Sequence, residues 1–76
     1  MSHEVVLYTR SGCHLCEDAR QLLQRHGLTP SEVDIDGDQA LYKRYNLCVP
    51  VVVIDGQEWF CGRIEERLLR RLLRND

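Results

Sequence analysis

The 76-residue chain has no run of about 18 apolar residues, so no segment is suited to cross a bilayer as a helix. Its first residues, Met1-Ser2-His3-Glu4, carry neither a basic stretch nor an apolar signal core. A cytoplasmic location and no membrane association are therefore expected. Charge of one sign is not in excess. The formal net charge of −2 gives no general pull towards nucleic acid or anionic lipid, and no nucleic-acid partner is expected. There is no linker, repeat or low-complexity segment, so residues 1–76 are expected to form one domain acting as a monomer. A chain this short buries roughly 60–65% of its unfolded surface, which leaves little room for a deep substrate cavity. A disulfide scaffold is not expected either. There are four cysteines, but Cys48 and Cys61 each stand alone, and the apolar content of 43% looks adequate for a core without cross-links.

What is present is a pair of thiols three residues apart, Cys13-His14-Leu15-Cys16. The run Val5-Val6-Leu7-Tyr8 before it reads as a strand buried on both faces. Thr9-Arg10-Ser11-Gly12 are turn residues. After the thiols, Leu15, Ala19, Leu22, Leu23 and His26 recur at helical spacing, which predicts a helix over 13–26. Cys13 then falls at or near the helix N-cap, with Cys16 one turn in. Unpaired N–H groups and the positive end of the helix dipole meet there and favour a thiolate, the reactive species in disulfide exchange. Glu17 and Asp18 in the same turn moderate that preference.

Gly27 is placed as the left-handed C-cap of this helix, with Leu28 as its hydrophobic contact. Residues 32–36 alternate strictly and predict a half-buried edge strand, parallel to the first. A short helix follows from Gly37-Asp38 to Tyr45, with Leu41 and Tyr45 inward and Asn46 ending it in the left-handed region. Residues 51–54, Val-Val-Val-Ile, form a second buried strand. Asp55-Gly56 is a strong hairpin signal, returning the chain over 57–60. Gly62 breaks that strand. Residues 63–74 predict a last helix whose apolar face is Ile64, Leu68, Leu69, Leu72 and Leu73, with Glu66 and Arg70 paired. Its arginines read as a solvated face, since no aromatic residues are interleaved with them.

The order β-α-β-α-β-β-α with C-x-x-C at the first helix start resembles the thioredoxin fold, and glutaredoxins in particular. Residues 7–16 are similar to a glutaredoxin active-site segment, Cys48-Val49-Pro50 to the family's Thr-Val-Pro, and Cys61-Gly62 to its Gly-Gly. The resemblance covers nearly the whole chain. It implies an α/β fold with a four-stranded mixed sheet and helices on both faces, a cis peptide before Pro50, and thiol–disulfide oxidoreductase activity. Cys13 is then the nucleophile and Cys16 the resolving thiol. Arg10, His14, Leu15, Cys48, Val49, Pro50, Gly62 and Glu65 are the implied substrate-binding positions. An extended substrate would pair with the Val49 backbone. Arg10 would meet a carboxylate of glutathione, and Glu65 would serve one end of it. Three departures bear on the substrate. His14 replaces the usual Pro, Cys61 replaces a Gly, and Arg63-Ile64 displaces the acids that follow. The expected substrate is thus a protein or small-molecule disulfide, with weak glutathione activity. No cofactor and no metal are expected, and glutathione stands only as a candidate reductant or substrate. Two other readings of the same thiols remain open: a zinc or iron–sulfur module, and a non-catalytic adaptor. Cys48 and Cys61 read more readily as small buried hydrophobes than as extra redox thiols.

Overall fold

Two apolar strands form the middle of the sheet. In the computed structural model, which describes residues 3–74, β1 (Val5–Thr9) pairs antiparallel with β3 (Val51–Ile54). It also pairs in parallel with β2 (Ser31–Asp34), and β4 (Gln57–Cys61) closes the other edge in the order β2-β1-β3-β4. Met1 and Ser2, read above for a leader, lie outside the described residues. The α-helices among the described residues are α1 (His14–Arg25), α2 (Gln39–Tyr45) and α3 (Glu66–Arg74).

Strand alternation splits the core in two. Val5, Leu7, Val52, Ile54 and Phe60 point to one face, where they pack with Ala19 and Leu23 of α1 and Leu69 of α3. Val51 points to the other, with Ile35, Tyr45 of α2 and the half-buried Tyr8 and Val53. The expected burial of residues 5–8 on both faces is met on one only. Val6 and Tyr8 stay half-buried because the layer over them is the seven-residue α2.

Other boundaries also differ from the expectation. The second strand stops at Asp34, whose carboxylate accepts the Asp36 N–H at 2.9 Å and opens a 3-10 turn, Ile35–Gly37. That turn drops Ile35 fully into the core. Asn46 is right-handed (φ −60°) rather than left-handed, because the Tyr45 carbonyl is satisfied by a following turn. It accepts the N–H groups of Cys48 (2.8 Å) and Val49 (3.2 Å). The last helix begins at Glu66, three residues late, with the Glu65 carbonyl accepting the Leu69 N–H at 3.0 Å. Arg63 and Ile64 form a connector, from which Ile64 still packs on the core. Asp55 (φ 53°) and Gly56 (φ 85°) both occupy the left-handed region, the tight hairpin that their pairing signals. A bulge between Val52 and Val53 leaves Trp59 without a strand partner, and it faces solvent while Phe60 is buried.

Tyr45 carries a pH-dependent part of the stability. Its ring is buried and stacks on Tyr8 with centroids 4.9 Å apart, and its hydroxyl donates to Glu58 Oε2 at 2.6 Å. Burial, then the Glu58 carboxylate, push the phenol up to about 12. The folded phenol thus holds its proton to higher pH than the unfolded one, which loses it near pH ~10. The contribution is complete below the unfolded value and is lost as pH rises through the folded one. The urea midpoint is therefore expected to fall between about pH 10 and 12, and Tyr45→Phe to flatten that fall. An equally steep fall in the variant would count against Tyr45 as a cause.

Candidate active site

Cys13 is the N-cap of α1. Its backbone is extended (φ −93°, ψ 108°), its Sγ accepts the Cys16 N–H at 3.1 Å, and its carbonyl accepts the Glu17 N–H at 3.2 Å. The sulfur thus takes the place that a Ser or Asp oxygen usually fills at a helix start. Gly12, with φ 75°, makes the turn that delivers it there. The far end of α1 is closed by a Schellman motif: Leu28 N–H to the Leu23 carbonyl and Gly27 N–H to the Gln24 carbonyl, both at 3.0 Å. His26 sits beyond the last turn, bonded to Glu66 at 3.0 Å, so α1 is tied to the start of α3.

The two thiols differ in setting. Cys13 is half-exposed, whereas Cys16 is 5% exposed. Burial, then the neighbouring Cys13, push the Cys16 thiol up to about 12. Near neutral pH Cys16 therefore holds its proton, while Cys13 faces an open groove of about 280 Å³. Arg10, Ser11, Gly12, His14, Glu17, Arg20 and Glu32 line that groove with the two thiols. Sequence reading passed over Ser11, Arg20 and Glu32. The first adjoins the motif, but only the fold brings the β2 edge residue Glu32 to it.

Arg10 and His14 reach the thiol groove. The Arg10 guanidinium, however, pairs with Asp36 at 3.0 Å and lies 5.4 Å from the Tyr42 ring centroid. Leu15, expected on the apolar face, is 54% exposed. It lines a second groove, formed with Gly62, Arg63 and Ile64 of the connector, instead of packing on the sheet. Glu65 lies further along the connector, in a depression with Asp18, Arg25 and Glu66. Val49 and Pro50 are joined by a cis peptide, and Val49 packs on the α2 side. The Pro50 carbonyl accepts the Gly62 N–H at 2.8 Å, and Gly62 lines the second groove.

Cys48 and Cys61 do not stand alone as small buried hydrophobes. They form a disulfide, with Cα atoms 5.1 Å apart. Cys48 is half-buried and Cys61 exposed. A signal for this was in the sequence: the two residues flank the open end of the hairpin that Asp55-Gly56 announces. Among the described residues, no three His, Cys, Asp or Glu side chains converge in a way that could hold a metal ion. No helix in the described residues is long and apolar enough to cross a membrane.

A mixed sheet in this order, with helices on both faces and C-x-x-C at the first helix start, is a thioredoxin-like fold of the glutaredoxin type. The chain belongs to the glutaredoxin-like family: the profile of the glutaredoxin-like domain (DUF836) matches residues 4–74. Solved structures agree. The X-ray structure of XcR50 from X. campestris has a TM-score of 0.80 and 35% identity, covering 95% of this chain and 97% of that one. The glutaredoxin grx-1 of Archaeoglobus fulgidus has a TM-score of 0.68 and 26% identity, covering 95% and 87%. Glutaredoxin 1 of Francisella tularensis, at 24% identity, is a likeness of fold, with a TM-score of 0.77 over 97% and 100% of the chains.

Proposed function

We propose that this chain is a thiol–disulfide oxidoreductase acting through Cys13 and Cys16. The observation that carries the reading is the Cys13 sulfur at the α1 N-cap, accepting a backbone N–H and open to the groove, with a buried Cys16 beneath it. The Cys13 thiolate attacks one sulfur of a substrate disulfide. The substrate S–S bond breaks, the other sulfur leaves as a thiolate and takes a proton, and a mixed disulfide joins Cys13 to the substrate. Cys16 then gives up its proton and attacks the Cys13 sulfur. The second substrate thiolate leaves, and Cys13–Cys16 carries away the two electrons' worth of oxidation. A thiol reductant, with glutathione as one candidate, resets the pair.

A protein disulfide suits the surroundings better than glutathione. Both side-chain contacts expected for glutathione are already engaged or displaced. Arg10 is paired with Asp36, and Glu65 sits beyond Arg63-Ile64 in the connector ahead of α3. Losing one well-placed partner costs on the order of 1–3 kcal/mol, roughly 5–150-fold in affinity. Leu15, exposed between the thiols, offers instead an apolar contact for a polypeptide. The expected result is slower turnover of a glutathione mixed disulfide than of a protein disulfide, by about 5-fold or more in kcat/KM. It is measured by steady-state reduction of both substrates under one reductant. Equal or faster glutathione turnover would overturn the substrate preference while leaving the thiol chemistry intact.

A further inference from the structure

The oxidoreductase cycle makes no use of Cys48 and Cys61, yet the fold brings them together. Cys48 lies in the turn after α2, two residues ahead of Pro50, and Cys61 ends β4, one residue ahead of Gly62. Their Cα separation of 5.1 Å lies within the span that a disulfide bridges without backbone movement. We propose that Cys48–Cys61 is a second thiol–disulfide centre, opened and closed by small-molecule thiols and disulfides, which sets the wall of the groove beside the catalytic pair.

Three observations support it. First, access: Cys61 is exposed on an edge strand and Cys48 is half-buried, so an incoming thiolate reaches the Cys61 side of the bond. Exposed disulfides are the ones that exchange readily, whereas buried structural ones resist reduction. Second, independence: the pair joins the turn after α2 to the end of β4, while Cys13 and Cys16 sit together at the start of α1. Third, connection: Gly62 follows Cys61 directly, its N–H donates to the Pro50 carbonyl at 2.8 Å, and it lines one groove with Leu15, which lies between Cys13 and Cys16. The closed pair therefore fixes Cys61, the residue directly before the Gly62-Arg63-Ile64 stretch that shares a groove with Leu15. When it opens, Gly62 keeps its hydrogen bond to Pro50 and its place after β4 but loses the covalent tie beside it.

The exchange balances with a glutathione-type disulfide as oxidant. The Cys61 thiolate attacks one of its sulfurs and expels the first glutathione thiolate. Cys48, deprotonated, attacks the Cys61 sulfur and expels the second. One protein S–S bond forms and one glutathione S–S bond breaks. Two electrons leave the protein, and the two protons end on two glutathione thiols. Reduced glutathione in excess, or dithiothreitol, runs the same steps backwards.

The redox change is independent of the oxidoreductase reading, while its consequence for the groove deepens that reading. The test therefore uses the full chain with Cys13→Ser and Cys16→Ser, so that no catalytic thiol contributes. The protein is equilibrated in buffers from reduced to oxidised glutathione, quenched with an alkylating agent and weighed by mass spectrometry. Two labelled thiols are expected at the reducing end and none at the oxidising end, with a peptide joining Cys48 to Cys61. A pair that stays bonded under excess reduced glutathione and dithiothreitol is an inert cross-link and overturns the proposal. A protein that stays dithiol, or carries only glutathione adducts, overturns it as well. In the same samples, NMR is expected to show the Gly62 amide and the Leu15 methyls shifting between the two states. Leu15 resonances that do not move would overturn the link to the groove, whether or not the chain proves to be an oxidoreductase.

Discussion

Cys13→Ser is expected to lower disulfide reduction by on the order of a thousandfold or more, whereas Cys16→Ser stops the cycle half-way with substrate still attached. The difference follows from the two settings. Cys13 opens to the groove, and its sulfur occupies the helix cap, accepting the backbone N–H of Cys16. A serine hydroxyl there keeps the cap but stays protonated at neutral pH and cannot exchange with a disulfide. Cys16 is buried and its thiol is pushed up to about 12, so in the proposed cycle it is expected to wait as a thiol until the neighbouring sulfur is engaged. In the proposed cycle the attack by Cys13 is expected to proceed without it, with nothing in the pair to expel the second substrate thiol. Non-reducing electrophoresis of Cys16→Ser with a protein disulfide should show a stable mixed species. Cys13→Ser should show none. A mixed species formed by Cys13→Ser at the rate of the unsubstituted chain would assign the attack to another cysteine.

A large effect on stability is expected at Leu23. This residue lies in the last turn of α1, is fully buried, and packs in the cluster built by Val5, Leu7, Val52 and Leu69. Leu23→Ala removes its apolar contacts and leaves a cavity, a change that costs about 2–5 kcal/mol. The whole domain has only about 4–11 kcal/mol to lose at the usual stability per residue. Its backbone bonds survive the substitution, so the loss reports packing and not the helix cap. The control is Leu47→Ala. Leu47 is 96% exposed, and its truncation is expected to change stability by about 0.5 kcal/mol or less. Urea unfolding of both variants separates the cases through their midpoints. A Leu23→Ala midpoint as close to the parent as that of Leu47→Ala would show that α1 is not seated on the sheet as described.

Legibility in the sequence tracks distance along the chain. The two apolar strands, the Asp55-Gly56 hairpin, the Gly27-Leu28 helix end and the place of Cys13 at the start of α1 each rest on a few consecutive residues. Hydrogen-bond geometry and backbone preference act over such spans, so a single sequence determines them. What only the tertiary structure decided involves residues far apart. Arg10 meets Asp36, 26 residues on, which takes up the side chain that the resemblance offers to a glutathione carboxylate. His26 meets Glu66, 40 residues on, and so ties the first helix to the last. The delayed start of α3 follows from the connector packing Ile64 on the core, and its own residues gave no sign of it. The Asp55-Gly56 hairpin signal brings Cys48 and Cys61 to neighbouring chain ends, but their pairing also needs the turn after α2 in place before the sulfurs meet. Proximity between such groups costs chain entropy that local preferences do not supply; the buried apolar surface on the two sides of the sheet offsets it, and that surface exists only once the layers are assembled.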